Sequence, residues 1–112
     1  MTAFVSRLRE FYGQCGAPSY RSLVKTSQRL AELYPDFFAD RTLMPLSVAA
    51  ISEVTRGRRA GPPRAAWVVT FVLACQRRAY EDGVLDSDPG TETVPEWMAQ
   101  WHKAWAAAQT SG

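Results

Sequence analysis

The chain predicts an all-α fold of five helices, with an extended loop before the third helix and a tryptophan-rich helix appended at the C-terminus. Three observations predict it. Apolar residues recur at spacings of three and four along five segments, and no segment alternates with the period of a strand. Ser19 and Ser47 stand directly before two of those segments, where a hydroxyl can accept from an orphan N–H of the first turn. Gly57, amid Arg56, Arg58, Arg59 and Arg64, separates a short helix from a long apolar one and can take the left-handed conformation that ends a helix.

The first helix is expected from about Ala3 to Tyr12, with Phe4, Val5, Leu8, Phe11 and Tyr12 on one face and Gly13 and Gly16 breaking it. The second opens after Pro18 with Ser19 as its cap, and aligns Tyr20, Leu23, Val24, Ser27, Leu30, Ala31 and Tyr34 until Pro35 ends it. Residues 35–46 read as an irregular loop. Its Phe37, Phe38, Leu43 and Met44 imply that it packs against the body. The third helix spans Ser47 to Arg56, with Val48, Ile51 and Val54 on an apolar face and Ala49, Ser52 and Glu53 pointing elsewhere.

Pro62 and Pro63 set the start of the fourth helix, about Arg64 to Gly83, whose stripe is Trp67, Val68, Phe71, Val72, Cys75 and Ala79. Residues 84–93 read as a connecting loop. Thr93 and Glu96 have the spacing of a capping box for the fifth helix, about 94–108. That helix carries Trp97, Met98, Trp101, Ala104, Trp105 and Ala108 on one face, and the tail from Gln109 is expected to fray. At 112 residues the chain suits a single domain, 1–112, with a core of about 3–83 and the fifth helix added to it.

Composition narrows the function. An apolar content of 46% with 21% charged residues suits a globular protein. No apolar run approaches the ~20 residues that span a bilayer, and the N-terminus lacks the pattern of a secretory signal, so a cytoplasmic location and no membrane partner are expected. Cys15 and Cys75 fit small buried residues better than a disulfide, and with His102 alone there is no zinc-ligand set. His102 has no triad partner, the carboxylates form no acid/base pair, and Gly57 to Gly61 lacks the lysine–hydroxyl pair of a phosphate loop. Neither an enzyme nor a cofactor is expected.

Charge is distributed unevenly. Residues 1–80 hold twelve Lys/Arg against five Asp/Glu, a balance of +7; residues 81–112 hold one lysine against six carboxylates, a balance of −5. Such asymmetry suits an anionic partner for the first part, although solvated helical surfaces are often basic on one side. The second and third helices with the arginine elbow match a helix-turn-helix, in which one helix braces on the backbone and the next enters the major groove. Arg56, Arg58, Arg59 and Arg64, with Arg21 and Lys25 on the bracing helix, are the candidate phosphate contacts, which give grip but little sequence information. The first turn of the third helix has small residues that admit close approach and lacks the bidentate Arg, Asn or Gln side chains of strong base readout.

The runs FVSRLREFY, PSYRSL, SVAAISEVTRGRR and WVVTFVLAC resemble the small helix-turn-helix domains of the Xre (Cro/C1-type) class common in actinobacteria, and EWMAQWHKAW resembles a tryptophan-bearing helix often appended to them. The resemblance covers roughly residues 3–105. It implies a DNA-binding transcriptional regulator, with Ser47, Val48, Ala49 and Ser52 at positions that usually face bases in double-stranded DNA. The chain departs from the pattern where some twelve residues, Pro35–Leu46, replace the tight turn. Such modules also serve as protein-interaction or adaptor domains. The Trp97, Trp101 and Trp105 stripe fits either of two roles: sealing the core, or docking a second copy or another protein. Its acidic approach, Asp86, Asp88, Glu92 and Glu96, would face away from phosphates.

Overall fold

The computed structural model of the chain describes residues 2–58 and 61–110, and every described element is helical. The order is α1 (Thr2–Gln14), α2 (Tyr20–Leu33), α3 (Pro35–Phe38), α4 (Val48–Thr55), α5 (Ala65–Glu81), a 3-10 turn (Gly90–Thr93) and α6 (Val94–Thr110). The two serine caps form. Ser19 Oγ accepts from the Ser22 N–H at 3.2 Å and Ser47 Oγ from the Ala50 N–H at 3.1 Å.

The ends of α1 and α4 follow one pattern. After α4, the Gly57 N–H donates to the Val54 carbonyl at 3.1 Å and the Arg58 N–H to the Glu53 carbonyl at 2.9 Å, with Gly57 at φ +66°. This is the Schellman closure that a glycine permits because it has no Cβ to clash in the left-handed region. α1 closes in the same way, through Gly16 N–H to Gly13 and Ala17 N–H to Tyr12, so Gly13 is the helix's penultimate residue and does not break it. Gly16 also admits Val84 closely: a Cβ there would meet Val84 Cγ2 at 2.9 Å.

α5 is the central element. From Trp67 to Gln76 every residue is buried, which exceeds the one-sided stripe expected from the sequence. A helix apolar nearly all round is one enclosed by others. α2 packs along it, α6 runs back along it, and Tyr12 stacks on Phe71 with ring centroids 6.3 Å apart. Leu8, Leu23, Leu30 and Ile51 complete a core centred on Phe71, Val72 and Leu73. Cys15 and Cys75 are buried free thiols; burial pushes the Cys15 thiol up to about 11 and Cys75 well above its ordinary value.

Three expectations are corrected. Residues 35–38, read as irregular, form a helical turn because Pro35 is preorganised for the first helical position and Asp36 complements the N-terminal dipole. Thr93 and Glu96 make no capping box: the Thr93 hydroxyl donates to Gln76 Oε1 at 2.7 Å, and the 3-10 turn passes straight into α6. Buried Gln76 also donates from Nε2 to the Gly90 carbonyl at 3.0 Å, so the start of α6 is pinned to the middle of α5 by a satisfied polar group. Finally, α6 continues through Gln109 and Thr110, where fraying was expected. No helix among the described residues is long and apolar enough to cross a membrane.

Candidate nucleic-acid interface

α4 buries Ile51, Val54 and Thr55 and leaves its first turn open. Ser47, Val48 and Ala49 are exposed, whereas Ser52 is half-buried. Val48 does not join the apolar face that its spacing predicted; it is 45% exposed, while Ile51 and Val54 are buried. The Ser47 hydroxyl is engaged in capping, which leaves its own proton available to an outside acceptor.

Two contacts orient α4 against α2. The Leu46 N–H reaches Ser27 Oγ at 3.5 Å, and the Tyr20 hydroxyl meets Thr55 Oγ1 at 3.0 Å. α4 therefore begins beside the middle of α2 and ends beside its first residue. Residues 34–47 make the connection, far longer than the three or four residues of a tight helix-turn-helix. The Tyr20–Thr55 contact places the residue before Arg21 against the residue before Arg56. Arg21 and Arg56 thus flank one contact between α2 and α4, and both are exposed, as are Lys25 and Arg58.

α1 adds a cation that the sequence reading missed. Exposed Arg9 lines a cleft of about 270 Å³ with Val5, Val54, Gly57 and Pro63, beside the arginine elbow. Its position opposite the buried Phe4 and Leu8 was the available signal, but no spacing in α1 alone points to α4. Arg64 is exposed at the N-cap of α5. Arg59 lies outside the described residues.

The basic residues fall into two classes. Arg29 and Arg77 clasp Glu81, each at 2.7 Å; Arg77 also reaches Asp88 at 3.4 Å, and Arg78 holds Asp82 at 2.6 Å. Tyr34 donates to Asp88, and burial together with that bond raises its hydroxyl above the ordinary tyrosine range. Arg29 and then Arg77 hold the Glu81 carboxyl down at about 2. These three arginines are neutralised. Among the described residues Arg7, Arg9, Arg21, Lys25, Arg41, Arg56, Arg58, Arg64 and Lys103 form no ion pair; Arg7 donates to Gln100 Oε1 at 2.9 Å and Arg41 lies over the Phe37 ring. The 17 residues of α5 separate Arg64 from Asp82 by about 25 Å, so the acidic cluster and the elbow stand at opposite ends of one helix.

The tryptophans differ in how far they are buried. Trp97 seals the core edge-on against Phe4 and Phe11, with centroids 6.1 and 5.1 Å apart. Half-buried Trp101 donates its indole N–H to the Pro63 carbonyl at 2.8 Å and so ties α6 to the elbow. Trp105 stacks on Trp101 and stays 42% exposed. Comparison with models of known protein families, with curated proteins and with solved structures yields no match. The likeness to the Xre class thus rests on the sequence motifs.

Proposed function

We propose that this chain is a DNA-binding module of helix-turn-helix type, with a lengthened turn, that acts in transcriptional control. The observation that carries the reading is the set of exposed cations on α2 and the elbow that have no carboxylate partner among the described residues, with Arg21 and Arg56 flanking the Tyr20–Thr55 contact. Arg21, Lys25, Arg56, Arg58 and Arg64 hold phosphates of a duplex, with Arg59 a further candidate. The exposed first turn of α4, Ser47 to Ala49, lies toward the groove. Because that turn offers a hydroxyl, a methyl and an isopropyl group, backbone grip dominates over base readout.

Fluorescence anisotropy with a labelled duplex of mixed sequence tests this reading. Binding at about 50 mM salt that falls steeply by about 200 mM supports phosphate neutralisation. Absence of binding at the lower salt refutes it.

A further inference from the structure

The elbow's arginines have an aromatic neighbour. Trp101 is fixed to the Pro63 carbonyl, and Ala108 lines the same cleft as Gly57, Gly61, Pro62 and Pro63. Trp105 stands four residues after the first and three before the second, so all three share one face of α6. Its ring therefore flanks the segment that joins α4 to α5. It lies 6.1 Å from the Trp101 ring, centroid to centroid and within 21° of parallel, so its orientation is set by a neighbour that is itself hydrogen-bonded.

Core packing does not explain this residue. Trp97 closes α6 onto α1, Trp101 ties it to Pro63, and Trp105 remains the exposed member of the stripe. From Trp97 to Thr110 the helix has no carboxylate and carries Lys103, and the segment that joins α4 to α5 carries Arg56, Arg58 and Arg64. A flat apolar ring beside phosphate-binding arginines matches a ligand that joins an aromatic face to anionic links. Within a duplex each base face is covered by its neighbours; an unpaired base has a face to give.

We propose that Trp105 is a stacking platform for an unpaired nucleobase, so that the preferred ligand is a duplex continued by a short single strand. The proposal rests on the nucleic-acid reading of the elbow and narrows it to a class of substrate. The arginines hold backbone phosphates on the duplex side, and the Trp105 ring takes the first base beyond it.

The test compares three labelled hairpins with the full chain: one blunt, one with a short thymine extension, and one with an abasic extension of equal length. The abasic strand supplies the added phosphates without the base. Thymine should bind about tenfold more tightly than abasic, the scale of one base–aromatic stack. Trp105→Ala should erase that gain and leave the blunt hairpin's affinity unchanged, while Trp105→Phe should keep most of it. Circular dichroism and the unchanged blunt-hairpin affinity report that the variants are folded. Equal affinity for thymine and abasic extensions, or a gain that survives Trp105→Ala, overturns the proposal while leaving the elbow's role intact. A dimer in light scattering that Trp105→Ala converts to monomer, with the thymine gain unchanged, overturns it in favour of a contact between copies. Failure of every hairpin to bind at low salt overturns the elbow reading and this proposal with it.

Discussion

Replacing Arg56 and Arg58 together by alanine changes charge without touching the fold at that point. Both backbone N–H groups serve the closure of α4, the Arg56 N–H to the Ser52 carbonyl at 3.0 Å and the Arg58 N–H to Glu53 at 2.9 Å, and alanine keeps both. The two side chains are exposed and form no ion pair among the described residues, so stability should change by no more than about 0.5 kcal/mol. The effect on binding follows from counterion release. Arg21, Lys25, Arg56, Arg58 and Arg64 neutralising one phosphate each give a slope of log affinity on log salt of about −4.5. Between about 50 and 200 mM salt that slope costs the parent roughly 500-fold in affinity. The double variant retains three of these cations, a slope of about −2.7, and loses roughly 40-fold over the same range. Anisotropy titrations at four salt concentrations measure both slopes. A variant that binds more weakly but with the parent's slope would refute the assignment of Arg56 and Arg58 to phosphates.

Three further outcomes follow from the geometry. Glu81 is held from its ordinary value near 4.5 down to about 2 by Arg29 and Arg77, so its contribution is complete above pH 4.5 and fades as pH falls toward 2. Solvent around the pair limits that contribution to about 1 kcal/mol; Glu81→Gln should lower the neutral-pH Tm and flatten the acid limb in a melting series, and an unchanged limb would contradict the clasp. The Thr26 hydroxyl is fully buried without a hydrogen-bond partner among the described residues, so Thr26→Val should raise stability by about 1 kcal/mol in urea unfolding, and a loss of that size would show that the hydroxyl is satisfied. Gly57 has open space where a Cβ would go, so Gly57→Ala carries the cost of the left-handed backbone alone, about 1–2 kcal/mol, and a neutral result would place the residue in another conformation.

What could be read from the chain divides by the range of the interaction. Ser19, Ser47 and Gly57 act within four or five residues of themselves, and helix ends follow from such local chemistry. The stripe of α5 was legible in kind but not in extent, since enclosure by α2 and α6 is a tertiary fact. Thr93 shows the limit: its spacing to Glu96 fits a local motif, yet the stronger partner is Gln76, seventeen residues away. The excess positive charge of residues 1–80 overstated the basic surface in the same way. The Arg77–Glu81 and Arg78–Asp82 pairs lie at the i,i+4 spacing and carried a readable signal of neutralisation. Arg29–Glu81 spans 52 residues and carried none. The placing of Arg21 near Arg56 depends on the Tyr20–Thr55 contact, 35 residues apart in the chain, and that of Arg9 beside the elbow on the packing of α1 against α4.

Backbone amide hydrogen exchange of the full chain, with and without a saturating duplex at low salt, tests the assignment of the binding face most directly. Protection is predicted in the first turn of α2 and from Ser47 to Arg58, with the segment from Asp82 to Glu96 unchanged. Protection confined to that acidic end, or to the Trp97 side of α6, would contradict a DNA interface built on α2, α4 and the arginine elbow.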